Sequence, residues 1–118
     1  MATQTYEGGC QCGAVRYRVD TDLDQTISCN CSRCGRLGTI LSFAPPENFE
    51  LLSGEDAVTE YLFNTHSIRH LFCSTCGVES FARGRKPDGT EMIAINARCI
   101  DGIEPEKLSP AFVDGRSR

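Results

Sequence analysis

Three groups of cysteines carry the chemistry of this chain: Cys10-Gln11-Cys12, Cys29-Asn30-Cys31-Ser32-Arg33-Cys34 and Cys73-Ser74-Thr75-Cys76, with Cys99 standing alone. Thiols one or two residues apart in a reducing compartment read as metal ligands, because neighbouring thiolates repel unless a cation holds them. All-sulfur ligation favours tetrahedral Zn2+, and a Cys-x-Cys plus a Cys-x-x-Cys supply the four thiolates of a closed structural site. Cys10, Cys12, Cys73 and Cys76 are therefore expected to share one ion, stapling the first turn of the chain to a connection in its second half. Zinc binding at such sites is worth about 10–16 kcal/mol, against a typical domain stability of about 5–15 kcal/mol. The metal-free protein is expected to be mostly unfolded.

Cys29, Cys31 and Cys34 remain, and three protein ligands with one open coordination position is the arrangement of a catalytic zinc. Two other readings stay open: a second structural site completed by Cys99, or a metal-free redox-sensing cluster. The open reading predicts two Zn2+ per chain and leaves Cys99 as a packing cysteine. Three thiolates on Zn2+ leave a net negative charge, which an incoming thiolate would increase, so positive charge nearby would help. Arg33 and Arg36 flank the cluster and are expected to offset that charge or to fork onto a substrate carboxylate. Asn30 and Ser32, between the ligands, are expected to donate hydrogen bonds around them. Cys12, Cys34 and Cys76 are each followed by glycine, which predicts three tight turns with positive φ where a backbone N–H points back at sulfur. His66 and His70 lie four apart in an apparent strand and read as ordinary surface or partly buried histidines.

The elements that must position these residues read as strands. Ala14–Val19 alternates, with Val15, Tyr17 and Val19 on one face and Arg16 and Arg18 on the other, the pattern of a half-buried strand. Shorter runs follow at Thr26–Cys29, Thr39–Ala44, Phe49–Leu52, Thr59–Phe63, Ile68–Phe72, Ser80–Ala82 and Met92–Ala97. Turn signals separate them, among them Pro87-Asp88-Gly89, a hairpin connection. Short helical turns are expected at Cys31–Gly35 and Pro105–Leu108. The expectation is an all-β fold of small antiparallel sheets with zinc-binding knuckle loops, and a frayed tail from Asp114 to Arg118. Arg98, Asp101 and Gly102 are expected to shape a turn, and Arg83, Arg85 and Lys86 to form a solvated hairpin.

Composition narrows the function. A length of 118 residues predicts one domain, 1–118. No apolar run approaches the roughly 20 residues of a membrane span, and Met1–Glu7 lacks the basic start and apolar core of a secretion signal, so a cytoplasmic protein without a membrane partner is expected. A net charge of −4, without a Lys/Arg run, argues against nucleic acid as a partner.

The order Gly8-Gly9-Cys10-Gln11-Cys12-Gly13, then Cys29-Asn30-Cys31-Ser32-Arg33-Cys34, then Phe72-Cys73-Ser74-Thr75-Cys76-Gly77, then Asn96-Ala97-Arg98-Cys99-Ile100-Asp101-Gly102 resembles the glutathione-dependent formaldehyde-activating enzyme family. The resemblance covers about residues 5–114, the core of the single domain, and implies an Mss4-like β fold, with a structural zinc on Cys10, Cys12, Cys73 and Cys76 and a catalytic zinc on Cys29, Cys31 and Cys34. It also implies carbon–sulfur lyase chemistry joining a small thiol such as glutathione to an aldehyde, with S-(hydroxymethyl)glutathione as product. The alternative is a non-catalytic zinc-stabilised binding module, because fold alone does not determine activity.

Overall fold

The computed structural model describes residues 3–62 and 67–117. Ten strands build two sheets: β1 (Gln4–Gly9), β2 (Arg16–Thr21), β3 (Thr26–Cys29), β4 (Leu41–Ala44), β5 (Phe49–Ser53), β6 (Val58–Tyr61), β7 (Arg69–Cys73), β8 (Phe81–Arg85), β9 (Glu91–Asn96) and β10 (Ala111–Val113). One sheet has the order β1-β2-β5 and the other β10-β3-β4-β9-β8-β7-β6. All pairings are antiparallel except that of β10 with β3. The all-β, Mss4-like expectation therefore holds. The one α-helix among the described residues, α1 (Ser32–Leu37), and a 3-10 turn at Pro105–Lys107 fall where helical turns were expected. None of the described helices is long and apolar enough to cross a membrane.

The alternation read in β2 is the reason the sheets pack. Val15, Tyr17 and Val19 are fully buried and meet Phe81, Ile93 and Ile95 of β8 and β9 in one apolar cluster. Tyr17, Phe49 and Phe81 form an aromatic triangle with centroids 4.9–6.2 Å apart, and Tyr17 and Phe81 meet edge to face, a favoured geometry for ring pairs. On the outward face of β2, Arg16 pairs with Asp101, and Arg18 pairs with Glu50 at 2.8 Å. The β8–β9 hairpin turns at Pro87-Asp88-Gly89, where Gly89 takes φ 90° and the Thr90 amide donates to Asp88 Oδ1 at 2.9 Å.

Several expectations are corrected. β1 and β10 lie outside the runs read as strands, and within the tail expected to fray Gly115–Ser117 forms a 3-10 turn, with Asp114 and the Arg116 amide bonded to Asn30. Phe63, placed at the end of a strand, and His66 lie outside the described residues. Arg83 leaves the expected solvated basic cluster, its guanidinium lying 5.5 Å from the Phe49 centroid and 5.7 Å from that of Phe81.

The Tyr17 hydroxyl is buried with no hydrogen-bond partner among the described residues. An unpaired buried hydroxyl costs about 1–3 kcal/mol, while the ring contacts survive its removal. Tyr17→Phe is expected to leave unfolding free energy equal or higher in a urea titration; a loss of more than about 1 kcal/mol would show that the hydroxyl is paired after all.

Candidate metal centres

Two sheet ends gather seven sulfur atoms into two groups. In the first, Cys10 and Cys12 sit on the β1–β2 connection, Cys73 ends β7 and Cys76 follows in the next turn; in the second, Cys29 ends β3, Cys31 caps α1 and Cys34 lies within it. Within each group the sulfurs lie within 4.8 Å of one another. Tetrahedral zinc with bonds near 2.3 Å requires sulfur–sulfur spacings of about 3.8 Å. Cys10–Cys12 and Cys12–Cys73 stand at 3.7 and 3.6 Å, so the donor set fits such an ion in both identity and spacing.

The backbone is arranged to carry negative sulfur. The Val15 amide donates to Cys10 Sγ at 3.3 Å, and the Thr75 and Cys76 amides donate to Cys73 Sγ at 3.4 and 3.5 Å. Gly13 and Gly77 take φ 87° and 81°, the left-handed turns expected after Cys12 and Cys76. The amides of Cys76 and Thr75 hold the Cys73 thiol below its usual range, and those of Val78 and Cys12 bring Cys76 down to about 6. Cys12 is pushed up to about 11: the Ala14 amide favours its thiolate, but Cys73, Cys10 and Cys76 together with burial outweigh it. Without a cation, Cys73 and Cys76 are drawn toward ionisation while Cys12 resists it.

The second group is built on a helix start. Cys31 is the N-cap of α1, its Sγ accepting from the Cys34 amide at 3.3 Å, in the position where an oxygen side chain usually serves. Cys29 Sγ accepts from the Cys31 amide at 3.4 Å. Burial opposes ionisation of Cys31, yet the amides of Cys34 and Arg33 prevail and hold its thiol below the usual range. Burial pushes the Cys34 thiol up to about 12, opposed by the Thr39 hydroxyl. Gly35 does not make the third expected turn; it lies inside α1, and the left-handed residue is Gly38, φ 73°, which ends the helix.

Cys99 joins neither group among the described residues. Burial raises its thiol to about 11, with the charges of Cys10 and Cys76 adding to the effect, and its carbonyl lies against Gly8, two residues before Cys10. The structure thus gives no support to Cys99 completing the three-sulfur group. All eight cysteines are free thiols.

Arg33 and Arg36 are brought to one cleft of about 450 Å³ together with Ser32, Leu37 and Tyr61. Arg33 is held there by a partner that its surroundings in sequence do not reveal. Its Nε and a terminal nitrogen donate to Glu79 Oε1 at 3.1 and 2.7 Å, and its guanidinium lies 4.6 Å from the Tyr61 centroid. The other oxygen of Glu79 bonds His70 Nδ1 at 2.9 Å. Glu79 and His70 are almost fully buried, so His70 is a core residue in a polar network. Arg36 is exposed and, among the described residues, donates to the Ser32 carbonyl at 3.0 Å. Asn30 turns away from the sulfurs to Asp114 and the Arg116 amide, and Ser32 is exposed. Arg98 donates to the Gly38 carbonyl at 2.9 Å, and Gly102 makes the expected turn at φ 79°.

Comparison with known proteins agrees with this architecture. The family profile described as glutathione-dependent formaldehyde-activating enzyme matches residues 5–113. The crystal structure of a Rhodobacter sphaeroides protein, a structural-genomics target, superimposes with a TM-score of 0.81 at 28% identity, covering 91% of this chain and 99% of that one.

Removing one partner of a buried ion pair strands the other and destabilises by about 3–5 kcal/mol. Glu79→Leu is therefore expected to lose about that much in urea unfolding, discounted for the 21% exposure of Arg33, whereas Glu79→Gln, which keeps an acceptor, should lose clearly less. Equal losses would show that the site requires volume rather than charge.

Proposed function

The chain belongs to the glutathione-dependent formaldehyde-activating enzyme family, and we propose that it is a zinc-dependent carbon–sulfur lyase that makes and breaks the adduct of a small thiol, glutathione foremost, with formaldehyde or a related aldehyde. In this reading Cys10, Cys12, Cys73 and Cys76 hold a structural zinc, and Cys29, Cys31 and Cys34 hold the zinc that meets substrate. The observation that carries it is the asymmetry of the two sulfur groups, four donors in one and three in the other, which matches closed and open zinc coordination respectively.

Zinc at the three-cysteine group supplies a Lewis acid that keeps a bound thiol ionised at neutral pH. In the overall reaction the thiolate sulfur bonds to the carbonyl carbon, the C=O π pair moves to oxygen, and that oxygen takes a proton; the lyase direction reverses each change. The chain's own residues bind and orient. The amides on Cys29 and Cys31 offset negative charge that is already present, which eases the approach of a further anion. Arg36 is the exposed cation of the neighbouring cleft, suited to a substrate carboxylate. Arg33, committed to Glu79 and Tyr61, shapes the cleft wall and keeps its positive charge beside the cluster. The free thiols suit a reducing cytoplasm.

Zinc content near two per chain and glutathione-dependent consumption of formaldehyde above a protein-free control are the expected results. Cys31→Ser should drop zinc to one equivalent and abolish turnover in a folded protein, while Cys73→Ser should unfold it; equal structural loss in both would refute the division of labour. Arg36→Ala is expected to raise the KM for glutathione about 10-fold with little change in kcat, the signature of lost binding common to ground and transition states. A folded, two-zinc protein without activity over the control would instead favour a binding module.

A further inference from the structure

The end of the chain is built into the three-cysteine group. β10 lies parallel to β3 with Val113 opposite Cys29, and the Asn30 amide donates to the Val113 carbonyl at 3.2 Å. The Asn30 side chain then closes a clasp: its Nδ2 donates to Asp114 Oδ1 at 3.0 Å and its Oδ1 accepts from the Arg116 amide at 2.9 Å. Asp114 Oδ2 accepts from the Ser117 hydroxyl at 2.8 Å. The clasp brings Gly115 so close that a Cβ there would collide with Cys29 Sγ and lie 3.4 Å from Cys31 Cβ. Gly115 does not have positive φ. The requirement for glycine is therefore one of space, and the space is occupied by the sulfur of a candidate ligand.

We propose that Ala111–Ser117 forms one wall of the three-cysteine centre, with Asn30 and Gly115 as positioning residues that fix where Cys29 Sγ sits. This rests on the reading of Cys29, Cys31 and Cys34 as a metal-holding group. A larger residue at position 115 must either push the sulfur away from its two partners or lift the wall. Loss of the Asn30 clasp releases the wall without adding bulk. Neither change touches the four-sulfur group, whose donors lie on the β1–β2 connection and at the end of β7.

The test uses zinc-loaded protein challenged with the chromogenic chelator 4-(2-pyridylazo)resorcinol, which reports each zinc released. Removing groups that orient metal ligands costs about 10–100-fold in metal affinity. Gly115→Ala and Asn30→Asp are expected to release one zinc faster by about that factor while the second leaves at the wild-type rate. Asn30→Asp sets two carboxylates face to face. Combined with Asp114→Asn, it restores a donor–acceptor pair with the sense reversed, and the double variant should return to within about two-fold of wild type. Iodoacetamide labelling gives a readout independent of turnover, with Cys29 alkylated faster in the single variants and Cys10 unchanged. Single variants that release both zincs at wild-type rates, or both equally faster, overturn the proposal, as does a double variant no better than Asn30→Asp alone. A wild-type chain holding only one zinc overturns the reading of the centre itself, and the proposal with it.

Discussion

Crowded sulfur is the constraint from which the rest of this structure follows. Seven Sγ atoms gather in two groups, each confined within 4.8 Å, and thiolates at that separation repel one another unless positive charge lies between or around them. The backbone contributes part of that charge through N–H groups aimed at Cys10, Cys29, Cys31 and Cys73. Such dipoles tip individual thiols toward ionisation but cannot neutralise a whole group, as the opposite shifts of Cys31 and Cys34 show. A cation of the kind both donor sets could hold would supply the rest.

The sheets determine which sulfurs can meet. Cys10 follows β1 and Cys73 ends β7, strands that belong to different sheets, so their meeting couples the two layers at the same time as the Tyr17–Phe49–Phe81 triangle packs them. Cys29, Cys31 and Cys34 need no such crossing, because one strand end and one helix turn bring them together. The long-range group therefore ties the two layers together, whereas the local group lies at the end of one strand and in its adjoining helix. The buried Glu79 extends the local group's surroundings into the large sheet by holding Arg33 on one side and His70 on the other.

Much of this was legible in the residues, and the exceptions have physical causes. The cysteine groups could be read because metal geometry imposes short spacings, and β2 because a strand with one buried face must alternate. β1 escaped detection because its outer residues are polar and its inner positions are Gly8 and Gly9, chosen for close backbone approach. β10 escaped because only three residues form it and pairing with β3, rather than burial, holds it. Glu79 lies between Val78 and Ser80, and nothing in that tripeptide announces a buried carboxylate with partners at positions 33 and 70. Gly35 was misread because a Cys-Gly pair inside a helix looks the same as one in a knuckle; Gly38, three residues later, supplies the left-handed turn.

The clasp on Asn30 sets an order of events during synthesis. A ribosome delivers all the sulfurs of the local group by residue 34, yet Asp114 and Arg116 follow about 80 residues later, on the order of 4–16 s at ordinary elongation rates. Throughout that interval the nascent chain presents Cys29 without its covering segment, open to whatever ions or oxidants surround it. The segment that covers Cys29 is thus made well after the cluster it adjoins.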